Sequence, residues 1–141
     1  MSSNPLVGAW RLVSLERRTA DGEVTHPFGL DPVGYIVYSE SGHVSVAFMS
    51  AGRPRFATED SRGGTPDEKV RAYDTYISYS GRYEIRGNTV VHHVEVSLYP
   101  NWVGTDLERS FELSGNRLRL STAPFLVSGR MRSAHLVWER V

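Results

Sequence analysis

The sequence contains no cysteine. That excludes disulfides, a thiolate nucleophile and cysteine-ligated zinc together. It also lacks a charge imbalance: Lys+Arg and Asp+Glu both number 16. No net field recruits nucleic acid or an anionic membrane surface, and no basic stripe interleaved with aromatics suits RNA. No apolar run reaches the length of a membrane-spanning helix. The opening MSSNPLVGAW has neither a basic n-region nor an apolar h-region, so the expected location is cytoplasmic. The spacings H-x-H, H-E-x-x-H and G-x-S-x-G do not occur. Neither a metal site nor an activated serine is expected.

What is present is a chain of 141 residues, 40% hydrophobic and 23% charged. That is enough for one globular domain with a core, and residues 1–141 are read as a single domain. Val7 to Arg18 opens as a strand with apolar residues on both faces. Trp10, Leu12 and Ser14 alternate with Arg11, Val13 and Leu15. Gly34 to Ser39 and His43 to Met49 form a hairpin around the turn Glu40-Ser41-Gly42. Thr65-Pro66-Asp67-Glu68 reads as a capping box with proline at the first helical position. It predicts a helix over about Pro66 to Ser78, with Val70, Tyr73 and Ile77 on one face. Strands follow at Gly81 to Ile85, with a start one or two residues earlier, at Arg117 to Ser121 and at Ser133 to Arg140.

Between them lies the most informative stretch, Asn88 to Leu113. Period-two alternation makes it two antiparallel strands joined around Tyr99 to Gly104. Each apolar face carries one interruption, His92 on the first strand and Arg109 on the second. With Leu98 set opposite Thr105, Val94 faces Arg109 and His92 faces Phe111. His92 and Arg109 then become diagonal neighbours, roughly 7–8 Å apart at the backbone. An imidazole and a guanidinium on an inward apolar face need partners, from the protein or from a ligand. For His92 the protein's own answer is a backbone carbonyl or a tyrosine. For Arg109 it is an ion pair with Glu16 or Glu95.

Eight strands joined mostly by short turns, with one helix between strands 3 and 4, predict an all-β, up-and-down antiparallel barrel. A β-sandwich is the alternative, disfavoured by the absence of long crossovers. Eight strands enclose room for side chains or for one small ligand. Tyr38 and Tyr83 fall in phase with inward faces, and Trp102 lies in a turn where it can cover a barrel mouth. His93 and Glu95 fall on the outer face, so His92 and His93 cannot share one metal ion.

Gly8-Ala9-Trp10 resembles the G-x-W motif of lipocalins, and Arg140 resembles the arginine that packs on that tryptophan. Nearly the whole chain resembles the small bacterial and fungal lipocalin-like domain proteins. The matching stretches are Leu6 to Glu16, Gly34 to Val46, Tyr79 to Ile85, His92 to Gly104, Glu108-Arg109 and Leu136 to Arg140. The resemblance implies a calycin-type barrel with a ligand-sized interior. Similar barrels are found as carriers and as isomerases or cyclases of natural-product pathways, of polyketide or terpenoid type. Two features depart from secreted lipocalins: the helix lies near mid-chain, and no signal peptide or disulfide is present.

The expectation is therefore a protein that binds a small, largely apolar molecule bearing a carbonyl or carboxylate, without cofactor, as a monomer or homodimer. Its expected ligand residues are Tyr38, Tyr83, His92, Trp102, Arg109 and Phe111. The alternative is a cofactor-free isomerase or cyclase. There His92 is the general acid or base and Arg109 stabilises a developing oxyanion.

Overall fold

The computed structural model describes residues 4–141. The strands, in chain order, are β1 (Gly8–Arg18), β2 (Val24–Thr25), β3 (Val33–Tyr38) and β4 (His43–Met49). After helix α1 (Pro66–Asp74) come β5 (Tyr76–Arg86), β6 (Thr89–Ser97), β7 (Asp106–Ser114), β8 (Arg117–Ser121), β9 (Phe125–Val127) and β10 (Arg130–Arg140). They form one sheet, ordered β2-β1-β3-β4-β5-β6-β7-β8-β10-β9. Antiparallel pairing of β1 with β10 closes it. Closure decides for the barrel and against the sandwich. The eight barrel strands are β1, β3 to β8 and β10; β2 and β9 are short additions at one end.

Alternation builds the wall. Ile36 and Tyr38 on β3, and Val44, Val46 and Phe48 on β4, point inward and are buried. The end where β3 meets β4 is sealed. Trp10 and Trp138 are buried there, and the Trp10 indole N–H donates to the Leu6 carbonyl at 2.9 Å. Arg140 lies over the Trp10 ring at 4.1 Å and donates to the Val7 and Pro5 carbonyls. This cation–π contact satisfies the guanidinium while fastening the N-terminal segment across the barrel end. The opposite end carries the longer connections, residues 19–32, 50–75, 98–105 and 122–129.

Three expectations need correction. The helix follows β4 in chain order, because the two-residue β2 intervenes after β1. It also stops at Asp74 rather than near Ser78. The capping box is present as read. However, Thr75 ends the helix, its N–H and its hydroxyl both turning back to the Arg71 carbonyl. Tyr76 to Tyr79 pair with Met49 to Val46 instead, which places Ile77 on a strand. No residue of α1 is buried, and Val70 is 58% exposed. The helix therefore caps the open end rather than packing flat on the sheet.

The second correction is the register of the central hairpin. Val94, not Leu98, meets Thr105: its N–H donates to the Thr105 carbonyl at 2.9 Å. His92 thus pairs with Leu107, not Phe111, and Val90 pairs with Arg109. The connection is longer than a tight turn because Pro100–Trp102 form a 3-10 turn. The displacement is an even number of residues, so no side chain on β7 changes face. His92 and Arg109 remain diagonal neighbours.

The third correction concerns Val96, which unbroken period-two alternation along Asn88 to Leu98 sets on the inward face with Val94. Ser80 pairs with Val96 but Gly81 with Val94, so Glu95 is an extra residue in a β-bulge. Past the bulge the alternation shifts, and Val96 is 63% exposed. Gly81 is the partner that makes the bulge possible. A Cβ there would stand 1.9 Å from the His93 carbonyl oxygen.

Candidate functional site

A cavity of about 940 Å³ opens at the loop end of the barrel. Its floor and walls are apolar, with Leu15, Ile36, Val46, Phe48, Leu120 and Trp138 among them. Its mouth lies between Phe28, the end of α1, Trp102 and the 122–128 segment. Volume and lining fit a small-molecule site. Two guanidinium groups interrupt the apolar wall, Arg17 on β1 and Arg109 on β7.

Trp102 and Arg109, both expected at the ligand, line the cavity. Tyr38, Tyr83, His92 and Phe111, also expected there, are not on its wall. Tyr38, Tyr83 and His92 instead fill the interior between the cavity and the sealed end. His92 is 1% exposed. Its Nε2 lies 2.7 Å from the Tyr38 hydroxyl and its Nδ1 2.7 Å from the Tyr79 hydroxyl. A neutral imidazole satisfies both contacts, accepting from one hydroxyl and donating to the other. Of the ways to satisfy a buried histidine, the tyrosine pair is the one realised. Phe111 packs against the core nearer the sealed end, where it pairs with Leu120.

Burial pushes the His92 pKa down to about 3, helped by the charges of Arg109 and, less, His93. The imidazole is therefore neutral throughout the physiological range. Burial likewise raises Tyr79 and, more strongly, Tyr38 above the usual phenol range. The Arg109 guanidinium opposes both shifts.

Arg109 donates to the Glu108 carbonyl at 3.2 Å. Among the described residues it forms no ion pair within 4.0 Å, neither with Glu16 nor with Glu95. Glu16 is engaged with Arg18. Of the acids at the mouth, Asp106 is held by His93 on the outer face at 2.6 Å. That contact, followed by Glu84, raises the His93 pKa. Arg109 thus enters the cavity wall as a cation without a protein carboxylate.

Tyr79 is a site residue outside the expected ligand set. It shares the inward phase of Tyr83, at the early edge of the strand expected around Gly81 to Ile85. Tyr79 forms the cavity wall above His92 and packs edge-on against Trp102, with centroids 5.7 Å apart. Rings thus run continuously from the mouth to the sealed end: Trp102, Tyr79, His92, Tyr38 and Tyr83.

A family model described as a lipocalin-like domain matches residues 7–141. The chain belongs to the lipocalin-like domain family. It is also similar to a 4'-hydroxy-3'-methoxypropiophenone carrier protein of Aspergillus oryzae, 34% identical over 107 residues. That match covers 70% of this chain and 96% of the relative. No solved structure matches the chain at a significant level. A family barrel with an open apolar cavity has the means to bind a small molecule. Among the described residues, no helix is long and apolar enough to cross a membrane.

Proposed function

We propose that this protein is a carrier that takes up a small, largely apolar molecule with a carbonyl or carboxylate oxygen. The observation that carries the reading is the cavity itself, apolar in its depth and edged by Arg109, which has no carboxylate partner among the described residues. Apolar contact supplies affinity, and one donor aimed at an oxygen fixes orientation. Trp102 covers the ring of the guest at the mouth, and Arg109 meets its oxygen. The relative's printed ligand, an aromatic ketone with a phenolic and a methoxy oxygen, has this shape and polarity. In this reading His92 belongs to the fold, since its ring is sealed behind Tyr79 and held neutral. Tyr79 and His92 together keep the cavity floor dry and rigid.

Titration calorimetry with 4'-hydroxy-3'-methoxypropiophenone tests the reading. One-to-one binding is expected for the wild type, and Ala134→Trp, which places an indole in the cavity, is expected to abolish it. A folded wild type that binds neither this ketone nor the neutral dye N-phenyl-1-naphthylamine would overturn the carrier reading.

A further inference from the structure

On the seam that closes the barrel, Arg17 stands on the cavity wall and Arg132 lies beside it, just off that wall. Arg17 near the end of β1 pairs with Ala134 of β10, which makes Arg132 its diagonal neighbour on the same inward face. Neither forms an ion pair within 4.0 Å among the described residues. The Nε of each is buried and has no hydrogen-bond partner. Arg132 spends another nitrogen on the Val127 carbonyl at 2.7 Å, and Arg17 lies 5.8 Å from the centre of the Phe28 ring. The acids of the β1 end and the connection after it are occupied elsewhere, Glu16 by Arg18, and Asp21 and Glu23 by Arg130. The carboxylates on the cavity wall itself are Asp74, Asp106 and Glu108, and neither arginine is ion-paired with them.

Two adjacent guanidiniums with orphaned donors are an unfavourable arrangement in a closed protein. Each Nε has lost water without gaining an acceptor among the described residues, and the two charges repel. Burial, followed by the charge of Arg132, depresses the Arg17 pKa. The arrangement becomes favourable when an oxyanion enters, because a carboxylate or similar group accepts from both forks.

We propose that Arg17 and Arg132 form an anion subsite at the cavity mouth. The guest then carries an ionised oxygen acid, a carboxylate or its equivalent, at the end opposite its buried apolar part. The subsite deepens the carrier reading and rests on it. It adds that the guest is an amphipathic anion inserted hydrocarbon first, its charge held at the β1–β10 seam. Ala134, the small residue between Arg17 and Thr122 along this row of the wall, leaves room for that headgroup. Phe28 covers the headgroup from the 19–32 connection.

Two fluorescent probes separate the charge from the cavity. 8-Anilinonaphthalene-1-sulfonate and N-phenyl-1-naphthylamine share one hydrocarbon frame and differ by a sulfonate. The wild type is expected to bind both at one mutually exclusive site, the sulfonate about tenfold tighter or more, the size of one charge-assisted hydrogen bond. Arg17→Gln and Arg132→Gln, tested separately with their melting curves, are expected each to remove most of that preference. For Arg132→Gln, whose side chain is off the cavity wall, affinity for the neutral probe is expected to stay within about twofold. Equal affinity of the folded wild type for the two probes overturns the subsite and leaves the carrier reading standing. So does an unchanged preference in both variants. Failure of the wild type to bind either probe overturns the subsite, and failure to bind the ketone as well overturns the carrier reading.

Discussion

Between pH 6.5 and pH 4 His92 alone is expected to cost the protein about 3 kcal/mol of folding stability. In the folded state burial holds its pKa at about 3, against 6.5 for an ordinary histidine. Across the interval the unfolded chain binds a proton that the native imidazole refuses. Stability therefore rises with pH there and is lost as pH falls from 6.5 toward 3. His135, also lowered by burial, acts in the same direction, whereas His93, raised by Asp106 and Glu84, acts in the opposite one. Substitution isolates the buried group. A glutamine at position 92 accepts from one tyrosine and donates to the other, and it does not titrate. Urea unfolding of His92→Gln at pH 7, 6, 5 and 4 is expected to show an acid limb shallower than wild type by about 3 kcal/mol at pH 4. Parallel limbs for the two proteins would mean that the imidazole charges without penalty, and the sealed Tyr38–His92–Tyr79 arrangement would be wrong.

A still larger effect is expected of a single methyl group. Gly81→Ala places a Cβ 1.9 Å from the His93 carbonyl oxygen, with the Glu95 nitrogen at 3.0 Å. Both neighbours are backbone, held in the β5–β6 ladder, so neither can rotate away. Relief requires opening the bulge, and with it the wall behind Tyr79 and His92. The expected cost exceeds about 4 kcal/mol, enough to leave much of the protein unfolded. Gly87→Ala is the control. Nothing lies within 4 Å of its added Cβ, and φ is +63°. Only the left-handed backbone penalty of about 1–2 kcal/mol applies there. Equal melting temperatures for the two variants would show that the bulge is not held as described.

The strand pattern was legible because side chains in a barrel wall obey a strict period of two. The capping box was legible because its two hydrogen bonds are purely local. What the sequence concealed are the places where the period breaks. The bulge between Leu12 and Ser14 moves Leu15 and Arg17 into the phase that Trp10 and Leu12 begin. Simple alternation had set Leu15 on the face opposite Trp10, so Arg17 did not stand out. The bulge at Gly81 turned Val96 outward in the same way. Helix periodicity through Ile77 hid the start of β5, Tyr76 to Ser78. By contrast, His92 beside Arg109 survived a misjudged register because the shift was even.

Candidate site residues fared according to depth. Sequence phase tells which face a residue occupies but not how far along the barrel axis the filled core gives way to open cavity. Tyr38, Tyr83 and His92 do face inward, at the filled end. Trp102 and Arg109 face inward at the open end. Only the packing of Tyr79 over His92 defines the boundary between them.

That boundary makes the three tryptophans reporters of where a guest sits. Trp102 stands at the mouth, Trp138 on the floor, and Trp10 at the sealed end with its N–H fastened to Leu6. The most direct measurement is a ¹H–¹⁵N correlation spectrum of the indole N–H groups during titration with 4'-hydroxy-3'-methoxypropiophenone. The cavity account predicts saturable shifts, largest for Trp102, smaller for Trp138, with Trp10 unmoved. A Trp10 signal that shifts as far as that of Trp102, or a Trp102 signal that does not respond while the ketone binds, would contradict it.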